Sequence, residues 1–495
     1  MSLTPIWRNR FIAVGAGLLA VWLGGHIALQ QFFWPALFAV GLVLVALARW
    51  QPLPLSTVLL GAGLFGYVVG NRGFAQIMLI PHQPLLPAEA ILATCGALLL
   101  VQCAWRHELP FRRDVLNALV LLWLLVGSAR VAFDFREFGL IAVRDFALVY
   151  YAAFFFLGQE VARAPEGRRF LERTLFVSCT ALVVTNVLFE RFPDFFVSTL
   201  TFRGNPLIYY KGDLVGTFLA IGAVLAFVRS EKSRRIGYLL LSVLLAGAVI
   251  STNNRASMLG LFVATTWLAL GGRWKFFAAQ AVAGVVAAVV VLAAASVLNI
   301  SLERTPLLGI YERVVSLTDP TGQRSYQGEG TFNKGDNNLF RTVWWRTVLS
   351  ETVQTNPYVG LGFGHDLADR FVREYYPESG EEFSVRSPHN VLVTVFARMG
   401  AVGLAVLAAL LLAAAARTWQ AVRMNPDVAA PWCIAWVLFS SACFGVVLEG
   451  PMGAIVFWTS LGWAHAALAA EGAVESPTIT EKGQAAALPL PAASV

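Results

Sequence analysis

Trp274–Leu298 reads WKFFAAQAVAGVVAAVVVLAAASVL, and the 27 residues between Lys275 and Glu303 carry no charge. A helix needs about 18–20 such residues to cross a ~30 Å hydrocarbon layer. Only a structure that satisfies its own backbone groups can stay there. The same silence recurs outward along the chain. It lasts 38 residues between Arg10 and Arg49, 22 between Arg49 and Arg72, and 21 between Asp427 and Glu449. Of 495 residues, 57% are hydrophobic and 14% charged, where a soluble domain carries about 25% charged. A water-soluble enzyme and a single-span receptor are both excluded. The fold class is an all-α polytopic membrane protein.

Charges and turn residues bound fourteen runs, near 11–29, 33–49, 54–71, 87–105, 115–133, 139–161, 170–189, 213–229, 236–251, 256–272, 276–298, 389–416, 430–448 and 451–470. Several are short or interrupted, so the expectation is 12–14 transmembrane helices. The first run is too long for a cleavable signal and lacks its cleavage site. Cations cluster in alternate short loops: Arg106, Arg112 and Arg113; Arg163, Arg168, Arg169 and Arg173; Arg229, Lys232, Arg234 and Arg235; Arg273 and Lys275; Arg417 and Arg423. The positive-inside rule makes that side cytoplasmic, with both termini there. The net charge of +7 therefore orients helices and carries no nucleic-acid signal. Cys95, Cys103, Cys179, Cys433 and Cys443 lie in or beside apolar runs, too dispersed for a metal site.

Four regions follow: an N-terminal bundle (1–298), a hydrophilic periplasmic loop (299–387), C-terminal helices (388–471), and a disordered Ala/Pro/Glu/Thr-rich tail (472–495). Within the loop, Leu339, Phe340, Val343, Trp344 and Val348 recur at helical spacing. Asp366/Arg370 and Asp369/Arg373 stand four apart, as in a short helix.

Transporters gather polar groups near the bilayer midplane. Here the unexplained ones gather at the external ends of spans: Arg203, Lys211, Arg255, Arg341, His365 and His389. That distribution suits an enzyme acting on a lipid-linked polar substrate; a transporter or flippase is the rival of another class. The sharpest local pattern is Ser387-Pro388-His389-Asn390 before an apolar run. It predicts Ser387 as N-cap, Pro388 at the first helical position and His389 in the first turn. A helix N-terminus disfavours imidazolium, so His389 should be neutral and able to accept a proton. The alternative is a histidine that merely caps an interfacial helix. Arg398, nine residues on, would lie ~13 Å down a continuous helix, which predicts a break near Gly400. Arg144–Asp145 and Glu449 are expected to be paired or bundle-lining buried charges.

His389-Asn390, nine residues, then Gly400-Ala401-Val402-Gly403 resembles the His-Asn…Gly-x-x-Gly signature of the bacterial O-antigen ligase and polymerase superfamily. Ser251-Thr252-Asn253-Asn254-Arg255-Ala256-Ser257 looks like its external turn ending in Arg before a span. Arg341-Thr342-Val343-Trp344-Trp345 and Asn356-Pro357-Tyr358-Val359-Gly360-Leu361-Gly362-Phe363-Gly364 look like the stretch that precedes its His-Asn motif. The resemblance covers about residues 200–403. It implies a GT-C-like architecture and an undecaprenyl-diphosphate-linked glycan donor. The glycan would pass to an acceptor hydroxyl at the periplasmic face, most simply on lipid A-core. A polysaccharide polymerase, with a second lipid-linked glycan as acceptor, and a protein O-oligosaccharyltransferase are the rivals within the superfamily. His389 would be the catalytic base or orienting group, and Asn390, Gly400 and Gly403 structural. Arg203, Arg255 and Arg341 are the candidates for the pyrophosphate, with Lys211 an alternative to Arg203. Each could instead be a snorkelling interfacial cation. No metal or other cofactor is expected, since the first external loop has no acid and no Asp-x-Asp occurs.

Overall fold

The computed structural model describes residues 5–29, 35, 38, 53–78, 86–298 except 253, 306–327 except 317 and 320, 334–378 and 386–474. They are almost wholly helical: α1 Pro5–Ala28, α2 Leu55–Ala75, α3 Pro87–Arg106, α4 Val115–Phe138, α5 Leu140–Val161, α6 Pro165–Arg191, α7 Gly212–Ser233, α8 Ile236–Ser251, α9 Arg255–Leu270, α10 Trp274–Val297, α11 Pro306–Ser316, α12 Lys334–Thr355, α13 Asp369–Tyr375, α14 Val391–Arg423, α15 Pro426–Ala442 and α16 Pro451–Val474. One two-residue hairpin, Thr201–Phe202 with Asn205–Pro206, interrupts them. Among the described residues, nine helices are long and apolar enough to cross a membrane: α2 to α7, α10, α14 and α16. Three shorter apolar helices, within α1 and at α8 and α9, bring the described candidates to the lower end of the expected range. The run near 33–49 and the tail fall outside the described residues, apart from residues 35 and 38 and the helical turn 472–474.

Burial orders the helices. Leu214 to Val228 of α7 are buried without exception, and so are Gly453 to Leu468 of α16, so these two helices form the centre of the bundle. α10 bears exposed Val282, Val285, Val286, Val289 and Val290, an apolar surface with no water-soluble explanation. The two ends differ in chemistry. At one, Arg106–Glu160, Arg163–Glu108, Arg229–Glu172, Lys232–Asp427 and Arg273–Glu231 pair at 2.7–3.3 Å. The cation-rich loops read as cytoplasmic therefore meet at a single end. Lys211, Arg255, Arg341 and His389 stand at the other.

α14 explains the nine-residue motif. Asn390, not Ser387, is its N-cap: the side chain accepts from Leu392 and Val393 backbone N–H at 3.0 and 3.3 Å. The expectation for Ser387-Pro388 is thus corrected. The carboxamide three residues after Ser387 satisfies the free N–H groups better, and it leaves His389 outside the helix at φ +56°. The break at Gly400 is where it was expected, at φ +62°, ψ −159°. There Leu361 N–H reaches Ala397 O (2.6 Å), while Ala401 and Val402 N–H reach Pro357 and Tyr358 O (2.8 and 3.1 Å). A Cβ at Gly400 would lie 2.2 Å from Tyr358 backbone, so only glycine admits the loop.

Charge secures the same loop. Arg398, 4% exposed, pairs with Asp145 at 2.8 Å and donates to Gly362 O (2.9 Å) and His365 O (2.5 Å). Gly364 N–H donates to Asp145 and Phe363 N–H to Asp134. Asp145 therefore pairs with Arg398 and not with neighbouring Arg144, whose side chain leaves the helix about 100° away. A second small core, Trp344, Val348, Leu367, Phe371, Val393 and Ala397, packs α12 and α13 against the first turns of α14. The short helix expected from paired charges is α13: Arg373 pairs with Asp369 (2.6 Å), but Arg370 takes Glu374 (2.7 Å) and Asp366 faces Arg386 (3.8 Å).

Sidedness is open to direct test. The expectation from the cation asymmetry is that the His389 end is extracytoplasmic. Arg373→Cys, 71% exposed in the wild type, should react with a membrane-impermeant maleimide in intact cells. The native thiols add little background, since four of five are buried. Labelling only after lysis would invert the topology.

Candidate active site

A cavity of about 400 Å³ opens at the His389 end, between the starts of α7 and α9 and one face of α12. Arg255, Arg341 and His389 line it, with Asp213, Asn338 and Trp345. Each is placed by a local device. Asn254 caps α9 by accepting from Ala256 and Ser257 N–H, which sets Arg255 at the first helical position. Its guanidinium donates to Ser316 Oγ at 2.9 Å, so the end of α11 roofs the site. Arg341, two turns into α12, donates to Phe444 O at 3.0 Å. Trp345 Nε1–H donates to Pro388 O at 2.6 Å, and the Trp344 ring lies edge-on to His389 with centroids 6.2 Å apart. Indoles on α12 thus fix the backbone before α14, and His389 is held in a left-handed conformation that a non-glycine residue adopts at a cost.

Neither Arg255 nor Arg341 has a carboxylate within 4 Å among the described residues. Asp213, the acid on the same wall, pairs with Lys211 at 3.3 Å. Two guanidiniums share one cavity and repel each other, an arrangement that a bound dianion relieves. His389 is pushed down to about 4, first by burial and then by Arg341 and Lys211. The expected neutral imidazole is present, but its cause is corrected: desolvation and cations, since the histidine lies outside the helix.

The other sequence candidates are placed less centrally. Lys211, whose backbone N–H donates to Asn71 Oδ1, comes close enough to act on His389. Arg203 sits at the tip of the hairpin over the Phe202 ring, and its guanidinium reaches Met78 O; it lines neither this cavity nor the one described below. Lys211 lines that second cavity, so neither of the two upstream cations stands in the cavity of Arg255 and Arg341. His365 meets Glu351 at 3.1 Å, and among the described residues no three His, Cys, Asp or Glu are grouped as metal ligands. Sequence reasoning missed Asp213, whose only signal was a lone acid in the first turn of an otherwise apolar helix.

A polytopic α-helical membrane protein with an arginine–histidine cavity at one end of its bundle is the class that this fold and site define. Residues 240–408, about a third of the chain, match the O-antigen ligase family. Over that segment the chain is similar to the O-antigen ligase family, and the likeness supports a membrane glycosyltransferase-like function in O-antigen or polysaccharide synthesis. Arg255, Arg341, His389, Asn390, Gly400 and Gly403 fall inside the matched segment, whereas Arg203 and Lys211 precede it. No curated protein matches the chain.

Proposed function

We propose that the protein transfers a glycan from undecaprenyl diphosphate to an acceptor hydroxyl at the periplasmic face of the inner membrane, with ligation to lipid A-core as the reaction. The observation that carries this reading is the meeting of two unneutralised guanidiniums and a neutral imidazole in one cavity. In the reaction the acceptor oxygen bonds to the anomeric carbon. The carbon–oxygen bond to phosphate breaks, and the lipid pyrophosphate leaves with the electron pair. Arg255 and Arg341 stabilise the charge that grows on the leaving group. Nothing in this requires a divalent ion, since planar forks bind phosphate bidentately and stay charged when half-buried. His389 accepts the acceptor proton. An imidazole held near 4 is a weak base, but the pyrophosphate offsets the positive field of Arg341 and raises its basicity when donor is bound.

Arg255→Lys keeps the charge and loses the fork. One charge-assisted hydrogen bond is worth about 1.5–3 kcal/mol, so transfer should fall on the order of 10-fold or more. Initial rates at equal expression, with purified lipid-linked donor, check it. Near-normal turnover would leave Arg255 an interfacial anchor.

A further inference from the structure

A second cavity, about 480 Å³, lies behind the first, and His389 is the residue that lines both. The Lys211–Asp213 pair completes the partition, with Lys211 facing the second cavity and Asp213 the first. The second cavity has a different chemistry. Its floor holds the Asp145–Arg398 pair and Glu449, which accepts from Thr394 Oγ1 at 3.0 Å. Asp145, Glu449 and the Ser387 and Thr394 hydroxyls suit the hydroxyls of a sugar ring, and Arg386 stands beside them, 4.0 Å from Asp145 and 3.8 Å from Asp366. Its rim holds Arg72 and Arg144, both exposed. Neither forms an ion pair among the described residues; Arg72 lies 5.7 Å from the Tyr209 ring centroid.

We infer that the second cavity is the acceptor site, and that Arg72 and Arg144 select an acceptor glycan bearing a phosphate or carboxylate. The inference rests on the proposed transfer reaction. With the pyrophosphate between Arg255 and Arg341, a nucleophile must approach the anomeric carbon from another direction. His389 reaches that side and this one. The sugar ring lies on Asp145 and Glu449, its hydroxyl beside the imidazole, and its anionic substituent at the rim. Arg72, Arg144 and Lys211 all precede residue 240, while the donor-cavity residues Arg255 and Arg341 follow it. The segment that matches the family thus carries the transfer machinery, and the N-terminal half supplies the arginines that choose the acceptor.

Binding without donor tests the acceptor site independently of transfer. The purified full-length protein, in a detergent of uncharged headgroup, is titrated calorimetrically with a phosphorylated core oligosaccharide and with its dephosphorylated form. The phosphorylated form should bind at least about 10-fold more tightly, from one to two charge-assisted contacts. R72Q/R144Q should bring the two affinities together, and R72K/R144K should restore part of the difference. Equal affinities in the wild type, or a preference that survives R72Q/R144Q, would overturn the inference. So would phosphatidylglycerol competing as well as the phosphorylated glycan, which would assign the rim to lipid headgroups. Loss of transfer with the binding preference intact would instead strike the glycosyltransferase reading.

Discussion

His389→Ala should abolish glycan transfer while leaving the protein in the membrane at near wild-type abundance. Insertion is driven by the apolar helices, to which one imidazole outside α14 contributes little. The residue also sits at φ +56°, so its backbone is held by neighbours: the Asn390 cap and the Trp345–Pro388 bond survive the change. Catalysis has no substitute of equal reach. A sugar hydroxyl is a poor nucleophile unaided, and general-base assistance is typically worth ~10²–10⁴-fold. A pH profile separates base from spacer. The imidazole is depressed to about 4 in the free site, so it is neutral above that value and protonated as pH falls through it. The acid limb of kcat/KM for the donor should therefore lie near 4. The limb of kcat should lie higher, because bound pyrophosphate offsets the field of Arg341. Wild-type rates in His389→Ala would remove the proposed mechanism.

Arg398→Ala should be the most damaging substitution for the fold at this end. It leaves Asp145 only the Gly364 N–H and a 4.0 Å contact with Arg386, and strips donors from the Gly362 and His365 carbonyls. Removing one partner of a buried ion pair costs about 3–5 kcal/mol. The Gly360–Gly364 loop that rests on the α14 break should then loosen, and the Trp344–Phe371 core with it. Thermal unfolding in detergent, followed by tryptophan fluorescence, should give a markedly lower midpoint. R398M with D145L, which removes both charges together, should recover most of it, as replacing a buried pair by apolar groups is often neutral. If the double substitution is as unstable as the sum of the singles, the pair is not a unit.

What was legible in the sequence follows from what each signal measures. Hydropathy integrates over twenty residues, so helices and ends emerged, and so did the break that Arg398 demands. Local capping was misread because Ser387-Pro388 carries the same signature as a true N-terminus, and only the three-dimensional course of the chain shows Asn390 taking the N–H groups. Arg255, Arg341 and His389 were read by position at span ends, and they share one cavity. Asp145–Arg398 spans 253 residues and left no sequence trace; adjacency pointed to Arg144, which helical geometry turns away. The second cavity draws on α2, α5, the residue before α7, the start of α14 and the segment before α16. No linear pattern joins five such segments.

The central claim is glycosyl transfer at a metal-free arginine–histidine site. The direct measurement is a reaction of purified protein, undecaprenyl-diphosphate-linked glycan and lipid A-core in the presence of EDTA. Glycosylated acceptor and released lipid pyrophosphate are counted together. The account predicts the two in equal amounts, undiminished by EDTA. Glycan still attached to its lipid, or transfer that stops on chelation, would contradict it.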